Sequence, residues 1–269
     1  MKGKLYLIPS PIGNLEDVSP RIKKVISECD LIACEDTRNT SKLLNLLGFS
    51  KPTFSCHEHN EKESSIKLIE YINEGKIIGY LSDAGYPGIS DPGEILVKEC
   101  IKNNISVTPL SGPSAFINAL VASSLPTEHF MFYGFLDSKS SQRIKELEDL
   151  KDFKNTIIFY EAPHRINETL KDIFSIFGNR KITIAREISK IHEEFIHSDL
   201  ETLVNENKEF KGELVLVVQG NTINKEIDEK EVISLFNKLI ESGLNKKDAI
   251  NALSILKNIN KNYLKKLFF

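Results

Sequence analysis

No apolar run in this chain approaches the roughly 20 residues a bilayer span needs. The first such run, residues 5–8, stops at Pro9 and is too short for the apolar core of a secretory leader. Cysteine is scarce. Cys29, Cys34, Cys56 and Cys100 form no Cys-x-x-Cys pair and are too few to brace 269 residues, so reduced thiols are expected. An excess of either charge is missing too: the formal net charge of −3 excludes attachment to nucleic acid by bulk charge, though not by a local patch. The chain also lacks a Gly-x-Gly-x-x-Gly after its first strand and a phosphate loop ending in Gly-Lys-Ser or Gly-Lys-Thr, which disfavours the two commonest nucleotide folds. These absences predict a soluble, cytoplasmic protein that is neither exported nor inserted in a membrane.

What is present is concentrated in residues 82–93, Ser-Asp-Ala-Gly-Tyr-Pro-Gly-Ile-Ser-Asp-Pro-Gly. The β-branched and aromatic run 76–81 precedes it, and a helical pattern at Ile95, Leu96, Val97 and Cys100 follows. The stretch therefore occupies the carboxyl end of a strand, where open α/β sheets bind ligands. Its glycines permit close backbone approach, its prolines fix the path, and its aspartates can hold a cation or hydroxyls.

Three more strands end in similar loops. Residues 4–8 break into Pro-Ser-Pro-Ile-Gly-Asn-Leu ahead of a helix face at Val18, Ile22, Val25 and Ile26. Residues 30–34 run into Glu35-Asp36-Thr37-Arg38-Asn39-Thr40, a mixture of helix cap and exposed charge. Residues 105–110 give way to Ser111-Gly112-Pro113-Ser114-Ala115. Four such loops in a βαβ series describe a single crevice. Between them, His57 and His59 in Cys-His-Glu-His-Asn-Glu have no second ligand pair at zinc spacing, so no metal is expected and a polar border of the crevice is.

With 41% hydrophobic and 27% charged residues, two modest cores are expected. The boundary falls in residues 125–150, where an aromatic strand at 130–135 leads to a charged, mobile segment from Ser138 through Arg143. Strands at 156–160, 181–186 and 213–218, and a short one at 195–197, predict an α+β second domain. Two strand-end clusters suggest a substrate-facing wall: Tyr160-Glu161-Ala162-Pro163-His164-Arg165, and Arg186-Glu187 with Lys190 and His192. From residue 230 onward the apolar spacing predicts three short helices broken at Gly243 and at 257–260. From Ser242 to the end, six lysines stand against the single Asp248, suiting either a solvated face or a phosphate backbone. The expected domains are residues 1–120, 121–222 and 223–269.

Taken together, Ser10-Pro-Ile-Gly-Asn-Leu-Glu-Asp17, Glu35-Asp-Thr-Arg38, His57-Glu-His-Asn-Glu61, residues 82–93 and Phe159-Tyr-Glu-Ala-Pro-His-Arg165 resemble the ribosomal RNA small subunit methyltransferase I family (RsmI) of the tetrapyrrole methylase superfamily. The resemblance implies a two-domain α/β tetrapyrrole methylase fold with the cofactor in the inter-domain cleft, a helical C-terminal extension and a homodimer. It implies 2′-O-methylation of a cytidine ribose in the decoding region of small-subunit rRNA, free or in the assembled subunit, with S-adenosylmethionine as donor. Carried over, the cofactor site comprises Ile12, Leu81, Ser82, Asp83, Tyr86, Ser114, Ala115, Tyr160 and Ile188; relatives commonly have Thr at the position of Tyr86. A base must accept the hydroxyl proton, and Asp36, Glu161 and Glu187 are the candidates. Arg38, His57, His59, His164, Arg165 and Arg186 are placed on the RNA. Two other readings stay open here, a C-methyltransferase of a tetrapyrrole and a non-catalytic RNA-binding ribosome-assembly factor.

Overall fold

The computed structural model describes residues 3–222, 229–257, 259 and 261–269. It contains two compact units, Met1–Gly220 and Asn221–Phe269. The first holds two five-stranded sheets.

The first sheet is wholly parallel. Its strands β1 (Lys4–Ile8), β2 (Leu31–Cys34), β3 (Thr53–Ser55), β4 (Ile77–Leu81) and β5 (Val107–Pro109) lie in the order β3-β2-β4-β1-β5. Alternation along β1 sends Tyr6 and Ile8 to one face and Leu5 to the other. Helices α1 (Pro20–Glu28) and α2 (Thr37–Leu46) cover the Tyr6 face through Ile22, Ile26 and Leu44. Helices α3 (Glu61–Asn73) and α4 (Glu94–Lys102) cover the other through Leu68, Ile72, Leu96 and Cys100. With both faces covered, the strands read as nearly continuous apolar runs.

Helix α5 (Ala115–Val121) leaves the last loop of this sheet and packs on the second, where Ala119 and Leu120 meet Ile158, Ala185, Val215 and Val217. The second sheet has strands β6 (Phe130–Phe135), β7 (Thr156–Glu161), β8 (Lys181–Arg186), β9 (Glu194–Asp199) and β10 (Leu214–Val218), ordered β6-β7-β10-β8-β9. Only β6 and β7 run parallel; the remaining pairs are antiparallel. Helices α6 (Ser140–Leu150), α7 (Ile166–Phe177) and α8 (Leu200–Glu206) bury the far face through Leu147, Leu170, Ile173, Leu203 and the odd-numbered apolar residues of β7.

One sequence expectation is corrected. The segment from Ser138, expected to be mobile, forms α6, and its Arg143 is 1% exposed with Nε donating to Asp172 Oδ2 at 2.7 Å. A buried arginine with a paired carboxylate fixes the helix. The edge strand β3, three residues long, was not anticipated.

Among the described residues the second unit is three helices, α9 (Glu229–Glu241), α10 (Lys246–Lys257) and α11 (Lys261–Phe268), around Val232, Phe236, Ile250, Leu253 and Leu264. Gly243 turns the chain at φ +96, and the rings of Phe236 and Phe268 stack at 3.9 Å. The expected break at 257–260 includes residues 258 and 260, which lie outside the described residues, as do 1–2 and 223–228. The six lysines of this unit from Lys246 to Lys266 are exposed. Among the described residues, no helix is long and apolar enough to cross a membrane.

Candidate active site

Because β1 and β4 are neighbours, their carboxyl-end loops meet, and hydrogen bonds fasten them together. Ser10 and Gly85 exchange backbone bonds, Ser10 N–H to Gly85 O at 2.8 Å and Gly85 N–H to Ser10 O at 3.1 Å. The Ser10 hydroxyl donates to Ser82 O at 2.6 Å, and the Ser82 hydroxyl donates to Gly85 O at 2.8 Å. Farther along residues 82–93, one oxygen of Glu61 accepts from the backbone N–H groups of Gly93 (2.9 Å), Ile95 (2.9 Å) and Leu96 (3.2 Å). That carboxylate, 6% exposed, caps α4 from α3. The Tyr86 hydroxyl accepts from Gly112 N–H at 2.8 Å and ties in the loop after β5.

These loops face the part of the second sheet that α5 leaves open, and a cavity of about 270 Å³ lies between them. The loops contribute Ile12, Gly85, Tyr86, Ile89, Ser90, Asp91 and Ser114; the second sheet and its surroundings contribute Phe116, Phe135, Tyr160, Glu161, Ile188, Glu213 and Val215. Aromatic rings build the second wall. Phe116 stacks on Phe132 at 4.4 Å, and Tyr160 meets Phe132 at 4.9 Å and Phe135 at 5.5 Å. Burial pushes the Tyr160 phenol up to about 12, so it stays protonated.

Every ionisable side chain in the wall with a charge at neutral pH is an acid. Glu161, 3% exposed, accepts at Oε1 from Arg165 Nε–H and from the Ala162 backbone N–H, while its Oε2 has no hydrogen-bond partner among the described residues. Arg165 also donates to Leu136 O at 3.0 Å. Glu213 pairs with Lys190 at 3.2 Å. Burial, reinforced by Glu35 and Asp83, pushes the Asp91 carboxyl up to about 6.

The cavity brings together Ile12, Tyr86, Ser114, Ala115, Tyr160, Glu161 and Ile188 from the residues anticipated in sequence. Leu81, Ser82 and Asp83 do not line it. Leu81 is core, Ser82 is spent on loop bracing, and Asp83 accepts from Asn39 Nδ2 at 3.1 Å. Asp36 caps α2 through the N–H groups of Arg38 and Asn39 and pairs with the Arg38 guanidinium, which holds its carboxyl down near 2. Glu187, at φ +52, accepts from Lys190 Nζ and from Glu213 N–H at 2.9 Å each, and these bonds lower its carboxyl. Neither carboxylate reaches the cavity. Arg165 is turned inward, and Arg186 pairs with Glu194 at 3.0 Å. His57 is half-buried, whereas Arg38, His59 and His164 are exposed.

Sequence reasoning missed Asp91, Glu213, Phe116 and Phe135 as wall residues, and Glu61 as a cap. Asp91 carried a signal, since it belongs to the loop singled out from composition. The phenylalanines carried none, because the cavity exists only once β6 and α5 face the loops of the other sheet.

Residues 4–204 match the family model of the Tetrapyrrole (Corrin/Porphyrin) Methylases. Over 233 residues the chain is 47% identical to the ribosomal RNA small subunit methyltransferase I of Halalkalibacterium halodurans, covering 86% of this chain and 80% of that one. Over 269 residues it is 42% identical to the protein of the same name from Bacillus subtilis, covering 96% and 91%. The solved structure of the methyltransferase CobJ superposes with a TM-score of 0.61 at 17% identity, over 81% of this chain and 94% of its own. Uroporphyrin-III C-methyl transferase from Thermus thermophilus complexed with S-adenyl homocysteine gives 0.58 at 15% identity, over 81% and 97%. At those identities the solved structures establish the fold.

Proposed function

Because the chain belongs to the ribosomal RNA small subunit methyltransferase I family, within the tetrapyrrole methylases, we propose that it methylates the 2′-oxygen of a cytidine ribose in the decoding region of small-subunit ribosomal RNA. The donor is S-adenosylmethionine. The observation that carries the reading is the likeness to relatives of that name over nearly the whole chain, 96% in one case. Tetrapyrrole methylation would rest on structures that share the fold at 17% identity or less.

The cavity residues fit this cofactor. Aromatic faces and small side chains suit an adenosine, and the acid-only charge with an unmet Glu161 oxygen suits a ligand that brings cationic and N–H donor groups. When bound, S-adenosylmethionine supplies a methyl group already activated by a positive sulfur. The chain then has mainly to position and shield, and orientation alone is worth up to roughly 7 to 11 kcal/mol in favourable intramolecular cases. Ile12, Tyr86 and Ile188 hold the apolar part of the ligand, and Phe116, Phe135 and Tyr160 exclude water from it. Of the three carboxylates considered from sequence, we retain Glu161 as the acceptor of the ribose hydroxyl proton. Its Oε2 has no hydrogen-bond partner among the described residues, and Arg165 fixes its rotamer. Exposed Arg38, His59 and His164, with the lysines of the helical unit, are assigned to RNA phosphates.

The same reading includes a homodimer in the cytoplasm. Exposed Ile117 and Val121 on α5 and Phe130 on the edge strand β6 support a second copy there, which the mass in solution tests by light scattering.

The decisive experiment incubates the protein with methyl-labelled S-adenosylmethionine and small subunits lacking their own modification, then maps the label. Label on a cytidine 2′-oxygen is expected. Cofactor binding without transfer to subunits or free rRNA would overturn the substrate assignment.

A further inference from the structure

We propose that Asp91 makes the cavity selective for the positively charged sulfonium cofactor over its neutral thioether product, so that spent product yields its place to fresh cofactor. The inference rests on the methyl-transfer reading above and deepens it by naming the residue that tells the two ligands apart.

Three carboxylates belong to the wall, and they differ in what already neutralises them. Glu161 has Arg165, and Glu213, whose side chain is 75% exposed, has Lys190 and solvent. Asp91 has no ion pair or hydrogen bond among the described residues, and its charged neighbours Glu35 and Asp83 are both acids. It is nonetheless held in place. Ser90 before it is fixed at φ +60, Pro92 follows it, and Gly88 N–H closes the loop on Pro92 O at 3.0 Å. Glu161, in the same wall, keeps a buried Oε2 with no hydrogen-bond partner among the described residues.

An uncompensated carboxylate in a partly desolvated wall gains most from a ligand that brings a full positive charge. S-adenosylmethionine and S-adenosylhomocysteine share the adenosine, the carboxylate and the α-ammonium group, so those contributions cancel when their affinities are compared. What remains is one unit of charge at sulfur. Asp91 is the wall carboxylate with no cation of its own to share it with, and it sets the ratio.

The test is calorimetry on the full chain at neutral pH with three probes: S-adenosylmethionine, S-adenosylhomocysteine, and sinefungin, which carries a protonated amine in place of the sulfonium. The parent protein is expected to bind both cationic ligands about tenfold or more tighter than the thioether, the scale of one charge interaction at partial screening. Asp91→Asn lowers that ratio about tenfold without weakening the thioether, and a retained thermal transition shows that the variant is folded. Glu213→Gln, which removes an already paired carboxylate, leaves the ratio within about twofold. Equal affinities of the parent for all three ligands, which needs no variant, overturn the inference; so does an unchanged ratio in folded Asp91→Asn. Failure of all three to bind is a different result, overturning the methyl-transfer reading and this inference with it.

Discussion

The two walls of the cavity are built on different principles. The wall from the first sheet is loop, held by hydrogen bonds: the Ser10–Gly85 bridge, the two serine hydroxyls, the Glu61 cap and the Tyr86–Gly112 tie. The wall from the second sheet is the face of β7 and β10 with rings packed on it, and its one buried charge is locked to Arg165. A loop wall can change its residues without touching a core, whereas a sheet wall is the core's outer layer. Damage to the second should therefore appear as lost stability, and damage to the first as lost affinity as well.

Arg165→Met is expected to be the most damaging single change. It leaves the Glu161 carboxylate buried and unpaired, for a loss of about 3 kcal/mol or more in denaturant unfolding. A loss below about 1 kcal/mol would erase the contrast between the walls. Glu61→Ala comes next, because three backbone N–H groups lose one acceptor; about 2 kcal/mol is expected, together with weaker cofactor binding by calorimetry, since α4 and residues 82–93 move together. Tyr86→Phe should cost only about 1 kcal/mol yet weaken cofactor binding more visibly than it lowers the melting temperature.

The smallest effect has the opposite sign and depends on pH. The Asp91 carboxyl, raised to about 6 when folded, disfavours the folded state while ionised. Its cost is fully present above about pH 6 and fades as pH falls towards the ordinary aspartate value, where both states are protonated. Asp91→Asn should therefore melt a few degrees higher than the parent at pH 7 to 8. That gain should vanish near pH 4 in parallel thermal scans.

Much of the fold is legible in the residues. Strand and helix periodicities place β1, β4, β6 and β8 nearly to the residue, and the Gly/Pro loops mark which strand ends matter. What escaped depends on contacts between distant segments. Glu61 stands in a polar string that reads as a loop border, and nothing local says that its carboxylate turns to the start of a helix 32 residues on. Ser82 opens the right loop and Leu81 ends the strand before it, but the Ser82 hydroxyl is spent on a backbone carbonyl and Leu81 faces α1 and its core. Arg143 reads as exposed charge until Asp172 on α7 is brought beside it. Composition locates a site more readily than it assigns tasks within it.

Two glycines mark where the halves of the large unit touch. At Gly13, with φ +150, a Cβ would fall 2.4 Å from Lys190 Cγ; at Gly134, with φ +89, it would fall 3.4 Å from Ser90 Oγ. At both rims the bare backbone of a glycine lies against a side chain of the other half. The clearance of the cavity is thus set in part at two glycines that do not line it. An added methyl at Gly13 would act as a shim against Lys190, the lysine that steadies Glu187 and Glu213, so the aperture and the charge balance of the site are adjusted by the same atom.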